Sequence, residues 1–376
     1  MIVPERLYHF LKEQGVNFFT GVPDSMLKHF LKYIQDNCSK EQHIITANEG
    51  LAVGLASGYH LQTGGVPLVY LQNSGLGNLI NPLVSLADKE MYGIPMLLLI
   101  GWRGRPGVKD EPQHHKMGRI TISLLDTLEV PYHIVDKEEE NSFAQIGKAI
   151  QQAKNENRPV ALIVPDNIFD KYEGKEEPDI YSLKREEVIK RIIGKLTGDE
   201  IVICTTGKIG REFYEQNLSA GERIRKYFLN TGAMGHASHI ALGIKANSAA
   251  KVIVIDGDGA LLMHLGTLPT MAWQANDNFI HVVINNGCHE SVGGQPTTGF
   301  FADCCGIARA SGYSSATSIT NGTEFEQWLA RGLLSKEMQF VEIRVSRHSR
   351  DDLGRPSGNP AGWKKELMDA LTKNAP

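Results

Sequence analysis

Cysteine is scarce in this chain of 376 residues. There are five, Cys38, Cys204, Cys288, Cys304 and Cys305, and none stands in the paired CxxC spacing of a zinc site or the framework of a small disulfide-rich domain. A reducing cytoplasm is the expected compartment. Neither sign of charge dominates, since 39 Lys and Arg oppose 43 Asp and Glu for a formal net charge of −4. That leaves no basic surplus for nucleic acid or an anionic membrane as partner, and affinity for a small anion must come from local cations. No uninterrupted apolar run reaches membrane-spanning length: the longest, Ile94 to Ile100, suits a buried strand. Met1 to Phe10 already looks like a polar helix start rather than a secretory leader. Hydrophobic residues make up 41% and charged residues 22%, ample material for two or three ordinary domains.

Strand-like and helical patterns alternate twice along the chain. In the first half, strands are expected at 18–20, 43–47, 67–72, 95–100, 132–135 and 160–164, with helical patterns at 26–35, 50–61 and 141–155. A charged stretch over 170–187 (DKYEGKEEPDIYSLKREE) interrupts the pattern as a linker would. Strands resume at 201–205, 226–228, 251–256, 279–285 and 340–344. The expectation is an α/β protein of two doubly wound domains with mainly parallel sheets, residues 1–169 and 188–376, joined by the linker 170–187.

One pair of motifs concentrates the chemistry. The run Lys251 to Asp256 ends in Gly257-Asp258-Gly259-Ala260, and Phe279 to Asn285 ends in Asn286-Gly287-Cys288. With 260–274 as a crossover helix, both clusters lie at the carboxyl ends of parallel strands, where open α/β sheets bind ligands. Glycines allow main-chain N–H groups close to phosphate, while a carboxylate and a carboxamide supply the hard oxygen donors that Mg²⁺ prefers. The pair is thus suited to a metal-bound diphosphate. The plainer reading is a helix cap at Asp258 and an ordinary turn at Asn285-Asn286.

GDG followed by NN at this distance resembles the cofactor signature of thiamine diphosphate-dependent enzymes. That resemblance implies metal ligation by Asp258, Asn286 and the Cys288 carbonyl, and diphosphate contacts from Gly257, Gly259 and Ala260. Ala260 stands where many relatives carry serine, which removes one hydroxyl contact. Glu49 opens an Ala/Gly-rich helix (EGLAVGLASG) and resembles the glutamate that protonates the aminopyrimidine N1′ of the cofactor. Read alone, Glu49 is also a favourable first-turn acid. Thr231 to Ala237 (TGAMGHA) resembles the segment in which an apolar side chain, here Met234, wedges under the cofactor and a carbonyl, here Gly232, accepts from its amino group. Thr206 and Gly207 are further diphosphate candidates. No room remains for the central domain that most relatives carry, so the chain resembles two-domain members, in which the cofactor lies between subunits of at least a homodimer.

The stretch 101–118 (GWRGRPGVKDEPQHHKMG) carries Arg103, Arg105, Lys109, His114, His115 and Lys116, which fits a small anionic substrate as well as it fits a solvated loop. The segments Gly21 to Ser25, Gln72 to Asn78, Asp110 to His114, Gly232 to Ser238, Ser291 to Gln295 and Asp351 to Pro356 resemble decarboxylases of phosphonopyruvate and sulfopyruvate. The implied reaction is conversion of 3-phosphonopyruvate to phosphonoacetaldehyde and CO₂, with sulfopyruvate as the alternative 2-oxo acid. His114 and His115 are candidates for proton transfer or for the phosphonate contact, and Asp24, Ser25, Asn73, Arg103 and Gln113 for substrate binding. Carboligation is a further possibility, opposed by the cationic stretch and the missing central domain. A nicotinamide-dependent dehydrogenase is opposed by the missing third glycine of GxGxxG after residue 257.

Overall fold

The computed structural model describes residues 1–275 and 277–372. The chain divides into two compact units, Met1–Glu177 with His289–Pro296, and Pro178–Cys288 with the residues from Thr297 onward. Each unit is built on one six-stranded sheet whose neighbouring strands all run parallel.

In the first unit the strands are β1 (Phe19–Gly21), β2 (His43–Ile45), β3 (Leu68–Gln72), β4 (Met96–Gly101), β5 (Tyr132–Ile134) and β6 (Pro159–Val164), in the order β2-β1-β3-β4-β6-β5. The central strands β4 and β6 are apolar throughout because helices cover both faces. Alternation along β4 shows it: Leu97 and Leu99 join one core with Phe19 and Phe30, whereas Met96, Leu98 and Ile100 join another with Val53 and Leu79. Register places Leu98 between Val69 and Ala161. The helix Glu49–Thr63 starts where the Asn48 side chain accepts from Gly50 N and stops at left-handed Gly64, so both ends are set locally.

The second unit contains β7 (Ile201–Cys204), β8 (Tyr227–Leu229), β9 (Val252–Gly257), β10 (Phe279–Asn285), β11 (Ser315–Ile319) and β12 (Gln339–Arg344), ordered β11-β12-β10-β9-β7-β8. The two sheets reverse direction of growth between β1 and β3 and between β7 and β9. Such switch points open a crevice beyond the carboxyl strand ends.

Four features differ from the sequence expectation. Residues 112–118 of the cationic stretch 101–118 belong to a helix, Pro112–Thr127, with Pro112 in its first turn, where the missing N–H costs nothing. The crossover after β9 is two helices, Asp258–Met263 and Thr267–Gln274, separated at His264 to Gly266. β11, with its polar sequence SATSI, is an edge strand that the apolar pattern did not reveal. The helix Arg185–Lys195 also begins inside the stretch expected as linker.

Candidate active site

In the first unit, the candidate residues lie on the turns after four strands. Glu49 follows β2, and its side chain is buried at 5% exposure. Burial shifts its carboxyl toward the protonated form, while a 2.7 Å hydrogen bond from Asn78 Nδ2 pulls the other way. A Cβ on Gly75 would lie 2.6 Å from Glu49 Cδ and nearer still to Oε1, so only glycine fits beside this carboxyl. Gly75 ends the short turn Asn73–Gly75 after β3, which ties Glu49 to the next group of residues.

That group spans the β1/β3 switch point. Asp24, fully buried after β1, accepts from Gln72 Nε2 at 2.8 Å and from Met26 N at 2.8 Å, and burial raises its pKa against those bonds. Asn73 is clasped by β4's exit: its Nδ2 donates to the Arg103 carbonyl at 2.8 Å and to Thr121 Oγ1 at 2.9 Å, and its Oδ1 accepts from Arg103 N at 3.2 Å. Arg103 directs Nη1 to Ser25 Oγ at 2.9 Å and forks onto Asp110, with Nε to Oδ2 at 2.8 Å and Nη2 to Oδ1 at 2.5 Å. Asp24, Ser25, Asn73 and Arg103 are therefore brought together, although Arg103 is already matched by a carboxylate. Arg105 likewise pairs with Asp166 at 3.1 Å. The stretch is less cationic than its composition implied, with Lys109, His115 and Lys116 at exposed positions.

His114 and His115 occupy the first turn of the helix Pro112–Thr127 beside half-buried Gln113. Burial, reinforced by Arg103, pushes the His114 pKa down to about 4, so its ring is neutral near pH 7, and its buried Nδ1 has no hydrogen-bond partner. His115 Nε2 lies 2.8 Å from the Asp110 carbonyl.

In the second unit, Asp258 (3% exposed) and Asn286 (5% exposed) follow the adjacent strands β9 and β10. Burial pushes the Asp258 carboxyl up to about 6, against hydrogen bonds from the Thr297 hydroxyl and the N–H groups of Asp258, Asn286 and Gly259. All those partners are neutral. Asn286 Oδ1 accepts from Cys288 N at 3.2 Å, so side chain and following turn curl round one point. A Cβ on Gly299 would come within 2.7 Å of both Asp258 Oδ2 and Asn285 Oδ1, which makes the wall of this cradle main chain alone.

The residues fit a hard divalent cation. Among the described residues no three His, Cys, Asp or Glu side chains converge on a metal position, but the Asp258 carboxylate, the Asn286 carboxamide and the Cys288 carbonyl would offer oxygen donors alone. At the end of β7, Thr206 Oγ1 donates to the Thr231 carbonyl at 2.7 Å, Gly207 adopts φ +87°, and buried Thr205 Oγ1 is unpartnered. The Met234 segment is braced by Asn230, whose side chain meets both Ala233 O at 2.5 Å and Ala233 N at 3.1 Å. Gly235, at φ +79°, would place a Cβ 3.0 Å from the Ala260 carbonyl, so this segment lies directly on the GDG turn. Met234 itself is half-buried and Gly232 exposed. Sequence reasoning missed Asn78, Gln72, Asp110 and Thr297 as partners, although Gln72 and Asn78 bound the run 72–78 and Asp110 opens the run 110–114, both of which carry the resemblance.

Residues 1–125 match the N-terminal TPP binding domain of the thiamine pyrophosphate enzymes, and residues 214–343 match their C-terminal TPP binding domain. Phosphonopyruvate decarboxylase from Streptomyces viridochromogenes is 32% identical over 95% of this chain and 92% of its own. Sulfopyruvate decarboxylase from Methanosarcina acetivorans is 26% identical over 90% of each chain. Sulfopyruvate decarboxylase subunit beta from Methanocaldococcus jannaschii is 35% identical over 51% of this chain and 98% of the subunit. With both domains matched and a relative aligned over nearly its full length, this chain belongs to the thiamine pyrophosphate (thiamine diphosphate) enzymes, among their decarboxylases.

Proposed function

We propose that this protein uses thiamine diphosphate and Mg²⁺ to convert 3-phosphonopyruvate to phosphonoacetaldehyde and CO₂, a reaction of phosphonate biosynthesis. The carrying observation is the buried Asp258 carboxyl, surrounded by neutral donors and set beside Asn286 at the ends of two paired strands. A carboxylate so placed needs a cation for charge balance. Asp258, Asn286 and the Cys288 carbonyl would hold Mg²⁺, with main-chain N–H groups of Gly257, Gly259 and Ala260 and the Thr206-Gly207 turn facing the diphosphate. Gly232 and Met234 would seat the aminopyrimidine. Residues 1–169 then serve as the pyrimidine-binding part and 188–376 as the diphosphate-binding part, joined by 170–187.

Bound thiamine diphosphate supplies a carbon nucleophile and an electron sink for loss of CO₂ from a 2-oxo acid. Glu49 holds the proton that N1′ of the aminopyrimidine needs, since burial favours its acid form and Asn78 fixes the carboxyl plane. Neutral His114 presents an unpartnered ring nitrogen able to donate or accept at the departing or arriving proton. Asp24, Ser25, Asn73, Arg103 and Gln113, with His115, form the wall that orients the anionic substrate. The exposed side of the helix Glu49–Thr63 is apolar: Leu51 is 61% and Leu61 73% exposed, and added Cβ atoms on Gly54 and Gly58 would meet nothing within 4 Å. A second copy of the chain is the occupant we assign to that face, giving at least a homodimer whose sites draw on both copies.

Similarity over nearly the whole of two phosphonopyruvate decarboxylases supports the phosphonate reading. Sulfopyruvate is the second reading, because a single-chain sulfopyruvate decarboxylase also aligns across 90% of this chain. A phosphonate carries a second negative charge and a sulfonate does not. Specificity constants for the two acids, measured in parallel, decide: preference for sulfopyruvate would reverse the assignment while leaving the cofactor argument intact.

A further inference from the structure

Behind the proposed metal position lies a buried polar network that touches neither metal nor substrate in that reading. Asn285, wholly buried at the end of β10, donates through Nδ2 to Glu342 Oε1 at 2.7 Å and to the Gly299 carbonyl at 2.8 Å, while its Oδ1 accepts from Gly287 N at 3.0 Å. One carboxamide thus grips both walls of the cradle, the 285–288 turn and the 297–299 segment. Its orientation is set by Glu342, which is 1% exposed on β12. Glu342 Oε2 in turn accepts from Ser318 Oγ at 2.7 Å and Arg344 Nε at 3.2 Å. Glu342 Oε1 and the Gly299 carbonyl both accept at this point, so the carboxamide presents its nitrogen to them and its oxygen to Gly287 N–H.

Arg344 extends the clamp. Its guanidinium lies 5.9 Å from the ring centres of both Tyr181 and Phe300, and Nη1 donates to Tyr181 Oη at 3.0 Å. Phe300 packs against left-handed Gly287 so tightly that a Cβ there would sit 2.6 Å from its ring. Thr297, next to the same segment, donates to Asp258.

We infer that Glu342 is a positioning residue for the divalent cation: through Asn285 it sets the distance between the Asn286-Gly287-Cys288 turn and Asp258, and so tunes metal affinity without contacting the metal. This rests on the metal-binding reading above. Partners one layer behind metal ligands typically change affinity 10–100-fold when removed.

The test titrates Mg²⁺ at saturating thiamine diphosphate against the full chain and reads the thermal unfolding midpoint, a binding signal independent of turnover. For Glu342→Ala the half-saturating Mg²⁺ concentration is expected to rise at least about tenfold, with kcat at saturating Mg²⁺ close to that of the parent. Glu342→Gln, which keeps an oxygen for Asn285, is expected to recover most of the affinity. If Glu342→Ala shows no cooperative unfolding without ligands, Asn285→Ser, which cuts the link from the other side, carries the same expectation. A parent-like Mg²⁺ titration in the variant that is read overturns the inference, as does a Gln variant as weak as the Ala variant. A parent protein that does not respond to Mg²⁺ at all overturns the metal reading itself, and the inference with it.

Discussion

Asn78 Nδ2 donates to Glu49 Oε2 at 2.7 Å, so the one buried glutamate of the first unit's crevice is held in a single orientation by a residue two turns of chain beyond β3. A proton donor to a ring nitrogen requires that fixed aim. Glu49→Gln is therefore expected to lower decarboxylation by about 10²–10⁴-fold, the usual contribution of a positioned acid or base. Stabilisation by thiamine diphosphate and Mg²⁺ in a thermal melt should survive, which separates lost chemistry from lost binding.

Gly75 makes the same carboxyl sensitive from its other side. Gly75→Ala introduces a Cβ that overlaps Glu49, and overpacking of this kind costs about 1–3 kcal/mol. Activity should fall with stability, and a variant as active and as stable as the parent would show that Glu49 does not occupy this position.

The exposed apolar side of the helix Glu49–Thr63 gives a test of self-association. Gly58→Leu enters open space in the single chain and removes a helix-interior glycine worth about 1 kcal/mol against the helix, so folding should be preserved. Sedimentation velocity should show weaker association than the parent; an unchanged size distribution would remove this face from the subunit contact.

Besides His114, two half-buried histidines of the first unit, His43 and His289, have pKa values pushed down by desolvation to about 4 and are neutral near pH 7. Between pH 6.5 and 4 the unfolded chain binds a proton at each ring that the folded chain does not, so each contributes stability that is present above pH 6.5 and lost on acidification. The loss is at most about 3 kcal/mol per ring. Asp24 and Glu49, whose carboxyls are raised by burial, act in the opposite sense. The readout is accordingly a difference: unfolding midpoints of His43→Gln should fall less steeply than those of the parent between pH 6.5 and 4.5. Parallel curves would mean that His43 does not titrate with unfolding.

Both sheets were legible because their central strands are short apolar runs ending in turn residues, and β9 and β10 ended in the motifs that carry the site. Residues 112–127 were hidden as a helix by their neighbourhood: Pro112 closes a polar, glycine-rich run, and histidine, lysine and glycine blur the amphipathic pattern at its start. β11 was hidden by its polarity, an option open to an edge strand with one partner. The break at 264–266 depends on tertiary packing, where Gly235 meets His264. Glu342, 57 residues from Asn285, gives no sequence signal, because its role exists only once β12 lies beside β10.

The most direct measurement quantifies CO₂ and aldehyde from 3-phosphonopyruvate with the purified chain, with and without thiamine diphosphate and Mg²⁺, alongside Asp258→Asn. Equal amounts of both products only when cofactor and metal are present, and their loss in the variant, are the predicted result. Product formation that persists without thiamine diphosphate, or in Asp258→Asn at the parent rate, would contradict the account.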